Sequence, residues 1–277
     1  MSIQPQVFLL GIPYDAHSSF LRGAAKAPDH VRRVLHGGSA NYWTELGTDV
    51  DPSRWADLGD LDLADDVEAA LDVIAAAAAQ ATADGARLLS IGGDHFVTWP
   101  LVRGVASNHA GLTIVHFDAH PDLYDELDGD RYSHACPFAR IMEEGLAHRL
   151  VQIGIRTMTA HQQEQAERFG VEVHELRTWD GRLPGDVAGP VYVTIDVDAL
   201  DPAFAPGISH HEPGGMTTRQ LLDCLHQLAS TAAARVVAVD VVEINPDRDL
   251  NDMTAMVGAK LVRELLGLLL PPPSQDL

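Results

Sequence analysis

The sequence predicts an α/β fold: one domain in which a mainly parallel β-sheet lies between two layers of helices, a three-layer α-β-α arrangement. Short β-branched apolar runs alternate with longer helical segments along the 277 residues, the pattern of βαβ units in a doubly wound sheet. Several runs are apolar at successive positions, which indicates strands covered on both faces. No internal repeat or interior linker divides the sequence. We therefore expect one domain at residues 1–270 and a disordered tail at 271–277, which opens with three prolines.

Seven segments are expected to be strands, because each is short and rich in Val, Ile or Leu. In chain order they are Val7–Leu10, Leu88–Ile91, Thr113–Phe117, Val151–Ile155, Val171–His174, Val191–Ile195 and Val236–Val241. No basic segment or cleavage site accompanies the first apolar run. We therefore interpret that run as a strand and not as a signal peptide.

Four longer segments between these strands are expected to be helices. They are Asp66–Ala83, Ala160–Phe169, Thr218–Ala229 and Met253–Leu268. The first of them contains the alanine run Ala75–Ala79, and alanine has the highest helix propensity. Thr217 and Thr218 precede the apolar run that begins at Leu221, which indicates a helix start.

The charge balance narrows the classes of partner. With 19 basic and 40 acidic residues, the net charge is −21. Such a surface repels phosphate backbones and anionic membranes and favours a small cationic ligand, so we expect neither nucleic acid nor membrane as a partner. No apolar stretch reaches the roughly 20 residues that span a bilayer. Two cysteines can form at most one disulfide, which is too few to stabilise a chain of this length as a disulfide-rich secreted protein. These features predict a soluble protein in a reducing compartment, the cytoplasm.

Acidic and histidine motifs follow four of the predicted strands. They are Gly92-Gly93-Asp94-His95, Asp118-Ala119-His120-Pro121-Asp122, Asp196-Val197-Asp198 and Val242-Glu243. In α/β sheets, binding sites form beyond the carboxyl ends of the strands. We therefore expect these side chains to meet at one edge of the sheet.

The spacing within the motifs favours a metal site. Residues two apart in an extended segment face the same way, so Asp118, His120 and Asp122 can converge, as can Asp196 and Asp198. Clustered carboxylates repel one another unless cations neutralise them. An oxygen-rich set with one or two imidazoles per ion and no thiolate suits Mn²⁺ better than structural zinc, with Co²⁺, Fe²⁺ or Ni²⁺ as alternatives.

Each motif alone has a simpler interpretation, as a capped loop or a surface turn. The occurrence of all three aspartate and histidine motifs directly after core strands favours a shared site. Two cysteines, Cys136 and Cys224, have no base-like partner in the sequence, so we interpret them as small packing residues.

These motifs resemble blocks of the ureohydrolase family of arginases and agmatinases, nearly end to end. Further blocks that carry the resemblance are Ser133-His134, Asp196–Pro202 and Val239–Pro246. Within the family, the sequence is most similar to plant-type arginases and related bacterial proteins. The segments that support this are Ser18–Leu21, Tyr132–Glu143, Ser209–Gly215 and Met253–Leu265.

The resemblance implies an arginase-like, eight-stranded parallel sheet and two divalent metal ions per chain, Mn²⁺ first. It implies as metal ligands His95, Asp118, His120, Asp122, Asp196 and Asp198. Two of the aspartates would bridge the ions. Glu243 would hold the substrate guanidinium, His134 would shuttle protons, and Asp198 would also relay a proton to the departing amine. By the same analogy we expect a homo-oligomer, a trimer or hexamer.

The substrate is less well specified by the sequence than the reaction. The acidic loop Leu123–Tyr132 differs from the Asn/Ser/Thr-rich loop of animal-type arginases, and its acids would suit a cationic tail such as that of agmatine. Ser209-His210-His211-Glu212 departs from a common family pattern, so His210 and His211 are candidate substrate-binding residues, with His211 narrowing the mouth. Phe96 stands where a serine is common. We rank arginine first, agmatine second, and other guanidino acids or free guanidine third.

Two other functional classes stay open at this point. A one-zinc amide deacetylase has a related fold but does not need both His95 and Asp122. A non-catalytic binding protein would not need to retain every expected ligand together with Glu243 and His134.

Overall fold

A computed structural model describes residues 7–64, 66–231 and 233–270 of the chain. The expected tail at 271–277 lies outside the described residues. The strands are β1 (Val7–Gly11), β2 (Ala56–Asp60), β3 (Arg87–Ile91), β4 (Leu112–Phe117), β5 (Ala147–Ile155), β6 (Glu172–Glu175), β7 (Gly189–Asp196) and β8 (Ala234–Val242). The helices are α1 (Ala27–Leu35), α2 (Val67–Ala81), α3 (Thr98–Ala106), α4 (Pro137–Glu143), α5 (Ala160–Phe169), α6 (Thr218–Ala229) and α7 (Met253–Leu269).

Single turns of 3₁₀ helix follow several strands or precede helices. They are Ala24–Lys26, Pro52–Arg54, Ala83–Gly85, His95–Val97, Val197–Ala199 and Pro246–Arg248. Two of these turns, at His95 and at Val197, begin within the candidate ligand motifs.

All eight strands form one parallel sheet in the order β2-β1-β3-β8-β7-β4-β5-β6. Successive residues of the buried strands point to opposite faces, and each face has its own apolar core. On one face Leu89 and Val193 pack with α1, α6 and α7. On the other face Leu88 and Tyr192 pack with α2, α3 and α4. The predicted α-β-α layers are therefore confirmed.

The seven predicted strands and four predicted helices are all present, and the bounds of α5 and α6 match the prediction. Strand β2 was not predicted because Ala56–Asp60 is half-exposed at the sheet edge and contains Asp and Gly, which are rare in strands. Helices α1, α3 and α4 were not predicted either, because each has proline within its first three residues and is short. Proline is compatible with a helix in its first turn, where the backbone N–H groups lack intrahelical acceptors.

None of the helices in the described part of the chain combines the length and apolar character that crossing a bilayer requires.

Candidate metal centre and its cavity

Four neighbouring strands deliver the acidic and histidine motifs to one edge of the sheet. Strands β3, β8, β7 and β4 lie side by side, and each is followed by one motif at its carboxyl end. His95 lies beyond β3, Asp118 to Asp122 follow β4, Asp196 ends β7, and Glu243 follows β8. The motifs converge because their strands are adjacent in the sheet, although they are far apart in sequence.

Gly93 allows the turn after β3 to lie against the segment that follows β1. A Cβ atom at this position would lie 1.9 Å from the carbonyl oxygen of Tyr14, so no larger residue fits. The Gly93 carbonyl accepts a 2.8 Å hydrogen bond from the Glu243 amide, and the His95 amide donates to Glu243 Oε1 at 2.9 Å. These bonds hold the turn after β3 against the turn after β8.

The first candidate ligand group is centred on His95, which is fully buried. Its Nδ1 lies 3.0 Å from Asp122 Oδ2, 3.2 Å from Asp118 Oδ2 and 3.3 Å from Asp196 Oδ2. Despite this crowding, Nδ1 has no hydrogen-bond partner among residues 7–64, 66–231 and 233–270. A buried ring nitrogen without a hydrogen bond, facing three carboxylates, fits a metal ligand.

The second candidate ligand group shares Asp118 with the first. His120 Nδ1 lies 3.0 Å from Asp198 Oδ2 and 3.5 Å from Asp118 Oδ1. Within each group, the potential ligand atoms lie within 4.8 Å of one another. A carboxylate common to two groups is where one residue could bridge two ions.

The tautomer of His95 is set by a hydrogen-bond chain behind it. His95 Nε2 lies 3.1 Å from Thr194 Oγ1, and that hydroxyl donates to Asp240 Oδ1 at 2.6 Å. Because the Thr194 proton is directed to Asp240, Oγ1 accepts the Nε2–H of His95. The Nδ1 lone pair is therefore left to face the carboxylates, as a metal-binding imidazole requires.

His116 supports the cluster and was not among the residues predicted from the sequence. It is fully buried; Gln152 Nε2 donates to its Nδ1 at 3.0 Å, and its Nε2 lies 2.7 Å from Asp118 Oδ2. Gln152 thereby directs the Nε2–H of His116 to the shared carboxylate. The available signal was a histidine inside an apolar strand, two residues before Asp118 and so on the same face.

The electrostatics of the cluster call for added positive charge. Burial and the charge of Asp198 raise the pKa of Asp196 well above its usual range. Burial and the charge of Asp118 raise the pKa of Asp198 to about 6. Burial lowers the pKa of His120, but the charge of Asp198 and hydrogen bonds to two carboxylates outweigh it and raise the value to about 12. Divalent cations would stabilise the ionised carboxylates, so the donor set and its charge fit metal binding.

His134 forms a three-residue chain at the edge of the cluster. Its Nδ1 lies 2.8 Å from Glu243 Oε1, and its Nε2 lies 2.8 Å from the Ser19 hydroxyl. Burial lowers the pKa of His134, but the charge of Glu243 and the hydrogen bond to it outweigh burial and raise the value to about 9. Ser19 was recognised in the sequence only as part of a family block, and the fold is what places it beside this imidazole.

The Glu243 carboxylate has one engaged and one free oxygen. Oε1 accepts from the His95 amide and pairs with His134 Nδ1. Oε2 is buried and has no hydrogen-bond partner within the part of the chain that the structure describes. The backbone φ of Glu243 is +66° and that of Asp122 is +48°, uncommon values for residues other than glycine that often mark functional sites.

A cavity of about 200 Å³ opens over this cluster. It is lined by Ser19, His120, Asp122, Tyr124, Leu127, His134, Ala135, Thr157, Thr159, Gln162, Asp196, Asp198, His210 and Glu243. The buried ligand candidates His95 and Asp118 lie behind this surface. The cavity therefore joins both ligand groups to Glu243 and His134.

Of the two candidate substrate-binding histidines, His210 and His211, only the first lines the cavity. His210 lines it and packs on His134, with ring centroids 4.9 Å apart. His211 does not line it: its ring Nε2 lies 2.8 Å from the Pro206 carbonyl oxygen. The expectation that His211 narrows the mouth is therefore wrong, because its ring contacts the Pro206 carbonyl outside the cavity lining.

The four acids of the 123–132 loop do not line the cavity, contrary to the expectation that they would receive a cationic tail. Asp125 lies 2.8 Å from His161 Nε2, and Asp130 lies 2.7 Å from His17 Nδ1. The loop contributes Tyr124 and Leu127 to the wall instead. Phe96 is buried in the core beneath α2 and α3 and is also outside the cavity wall.

Comparisons of the sequence and of the structure with known proteins all find arginases or agmatinases. A family model described as "Arginase family" matches residues 5–267. Arginase 1, mitochondrial, of Arabidopsis thaliana is 47% identical over 274 residues, covering 93% of this chain and 79% of the relative. An agmatinase of Bacillus anthracis is 32% identical over 267 residues, covering 95% and 91%. The solved structure of an arginase from Medicago truncatula has a TM-score of 0.87 at 44% identity, covering 95% of this chain and 87% of that one.

The predicted cytoplasmic location is wrong by this comparison. Similar plant arginases are named mitochondrial or chloroplastic/mitochondrial. Low cysteine content reports on redox conditions, and it does not distinguish one reducing compartment from another.

Proposed function

This chain belongs to the arginase family, and we propose that it releases urea from the guanidino group of a small cationic substrate, with arginine as first candidate. It is a hydrolase of the arginase and agmatinase type. The observation that carries the proposal is the pair of ligand groups that share the buried Asp118, set in a cavity with Glu243 and His134. Agmatine is the second candidate, because agmatinases are related at lower identity.

The two metal sites would be formed by the two groups. His95, Asp118, Asp122 and Asp196 would hold one ion, and Asp118, His120 and Asp198 would hold the other. Oxygen and imidazole donors without thiolate support Mn²⁺, with Ni²⁺ or Co²⁺ as alternatives. Bound there, a pair of divalent ions supplies water activated for attack on a carbon that neutral water leaves intact.

The chain's own residues would position the substrate and move protons. Glu243 Oε2 is the free acceptor for a guanidinium N–H, whereas a two-oxygen fork would require Oε1 to release one of its partners. Asp198 would pass a proton to the departing amine. His134, linked to Ser19 at the cavity wall, would exchange protons with solvent.

We also propose a homo-oligomer, which is supported by exposed apolar side chains near the start of α7. Leu250, Met253 and Met256 are 59%, 49% and 45% exposed. The loop after α1 contacts α7, since Ser39 Oγ lies 3.6 Å from Met256 Sδ, and this loop also carries Trp43 and Leu46, which are 56% and 54% exposed. Apolar side chains clustered on a surface often mark a subunit contact. Light scattering after size-exclusion chromatography tests this, and a monomer at micromolar concentration would contradict it.

Urea release from arginine, agmatine, guanidino acids and guanidine, with Mn²⁺ and then Ni²⁺, tests the proposed activity. Asp122→Ala and His120→Ala should each abolish most activity and weaken one metal site. His211→Ala is the matched control, since His211 lies outside the cavity. Full urea release by a metal-stripped variant carrying both changes would overturn the proposal, and acetate release from acetylated amines with one zinc per chain would favour the deacetylase alternative.

A further inference from the structure

The guanidinium of Arg156 contacts the turn that carries one of the candidate ligands. Arg156 directly follows β5, and its side chain reaches the 3₁₀ turn Val197–Ala199 after β7. Its Nη2 donates to the Asp198 carbonyl at 2.6 Å, and its Nη1 donates to the Ala199 carbonyl at 3.2 Å. Asp198 is buried, and a buried carbonyl needs a hydrogen-bond donor. Arg156 supplies that donor to the turn.

A second pair of bonds fixes the plane of this guanidinium. The Glu212 carbonyl accepts from Nε at 2.9 Å and from Nη2 at 2.6 Å, so Arg156 joins the loop before α6 to the turn after β7. The acceptors of its guanidinium among the described residues are the backbone carbonyls of Gly154, Asp198, Ala199, Leu200 and Glu212. The rigid fork of an arginine matches such a fan of acceptors, whereas a lysine has a single nitrogen.

The backbone of Arg156 holds the loop that carries the other ligands of the second group. Its amide donates to the Ala119 carbonyl at 3.0 Å, and Ala119 lies between Asp118 and His120. The Ala119 amide in turn donates to Asp198 Oδ1 at 3.0 Å. Arg156 therefore contacts both segments that supply the second group, the loop after β4 and the turn after β7.

The ligands that belong only to the first group have other supports. His95 is held by hydrogen bonds to residues of β7 and of the turn after β8, and Asp196 is the last residue of β7, inside the sheet. Within the described ranges, Arg156 donates to neither of these residues nor to Asp122. Loss of its guanidinium should therefore act on the second group and spare the first.

We propose that Arg156 is a positioning residue for the second metal ion, because it holds the turn of Asp198 and the loop of His120 in a fixed arrangement. The inference rests on the proposed function, since the second ligand group has this role only if it holds an ion. It assigns a part in metal binding to a residue that is absent from the cavity lining and is not itself a ligand.

Mn²⁺ titrated into metal-free protein, with bound metal measured after equilibrium dialysis, tests the role. Arg156→Met removes the guanidinium and should raise the Kd of the second ion by about 10- to 100-fold, the range for residues that orient metal ligands. The Kd of the first ion should change far less. Arg156→Lys should lie between wild type and Arg156→Met, because it keeps the charge and loses the fork. Equal Kd values for the second ion in all three proteins would overturn the inference.

Arg149→Met is the matched control. Arg149 lies near the start of the same strand and pairs with Glu172 and Asp186, so its loss should lower Tm and leave both Kd values unchanged. If Arg156→Met likewise lowers Tm without changing either Kd, Arg156 supports only the fold and the inference is wrong. If Arg156→Met does not fold, Arg156→Lys carries the test, and an unchanged Kd for the second ion in that variant contradicts the inference.

Two further backgrounds identify which ion is affected. Asp122→Ala removes a ligand of the first group only, and His120→Ala removes a ligand of the second group only. Added Arg156→Met should strongly weaken the ion that remains in the Asp122→Ala protein and hardly affect the one that remains in the His120→Ala protein, because changes at one site do not add. Equal weakening in both backgrounds, or the opposite order, would overturn the assignment to the second ion.

Urea release by the same samples separates failure of this inference from failure of the proposed function. If the wild-type chain binds two ions and releases urea from no guanidino compound, the proposed function fails, and selective weakening of the second ion in Arg156→Met still supports the inference. If urea is released but Arg156→Met binds the second ion as tightly as wild type, the inference fails while the proposed function stands. A wild-type chain that binds a single ion overturns the inference whatever its activity.

Discussion

Each of the two buried histidines at the candidate centre is held in one tautomer by residues outside the cavity. Thr194 accepts from His95 because its own proton is directed to Asp240, and Gln152 donates to His116 so that the latter donates to Asp118. Hydrogen bonds of this kind orient metal-binding side chains and tune their basicity. The local sequence motifs identified His95 and Asp118, but the supporting partners come from other strands and follow only from the sheet order.

Substitution of Ser19 tests whether its hydroxyl positions the His134 ring. Its hydroxyl lies 2.8 Å from His134 Nε2, so Ser19→Ala leaves that nitrogen without its partner. We expect kcat for urea release to fall by roughly threefold to tenfold, a small part of what a general acid–base histidine contributes, with KM changed less. Ser18→Ala is the control, because the Ser18 hydroxyl contacts Asp94 and not His134. Equal kcat in the two variants would contradict a positioning role for Ser19.

Helices α5 and α6 begin with the same type of N-terminal cap. In each, a threonine N-cap pairs with a glutamine three residues later in a capping box, Thr159 with Gln162 and Thr217 with Gln220. This local signal is contained in the sequence, and the predicted bounds of both helices are correct. Strand β2 and helices α1, α3 and α4 lack such a signal, and they owe their conformation to packing against the sheet or one another.

The two capping boxes allow stability to be separated from activity. Thr217→Ala removes a cap remote from the cavity and should lower the free energy of unfolding by about 1 kcal/mol, with urea release unchanged. Thr159→Ala removes the same interaction beside the cavity, so it should lower the free energy of unfolding by a similar amount and, because Thr159 lines the cavity, also lower kcat/KM for urea release. Denaturant unfolding and urea release measure both quantities. Normal kcat/KM for Thr159→Ala would show that the start of α5 does not contribute to the substrate site.

For the whole molecule, the sheet order explains why the site forms where it does. The four strands that carry the motifs are the neighbours β3, β8, β7 and β4, so residues more than a hundred positions apart meet at one edge. The sequence indicates which residues follow strands, and hence the reaction class. It does not indicate which side chains of the intervening loops enter the cavity, which is why His211 and the four loop acids were misplaced.

Metal removal should destabilise the whole molecule, because several clustered buried carboxylates would lose their compensating charge. A ligand present at about 1,000 times its Kd stabilises the folded state by roughly 4 kcal/mol, which corresponds to a Tm difference on the order of 10 °C for a chain of this size. Differential scanning calorimetry before and after chelation measures it, with Mn²⁺ added back as the control. An unchanged Tm after complete removal of bound metal would contradict the placement of ions in the buried cluster.

The central claim is that two ions held around Asp118 support hydrolysis of a guanidino group. Mn²⁺ titrated into metal-free protein, with bound metal and urea release from arginine followed together, tests it most directly. Activity should rise until two ions are bound per chain, and Asp118→Asn, which weakens the ligand common to both groups, should abolish it. Full activity at one ion per chain, or no urea release at two, would show that the proposed two-ion hydrolysis is wrong.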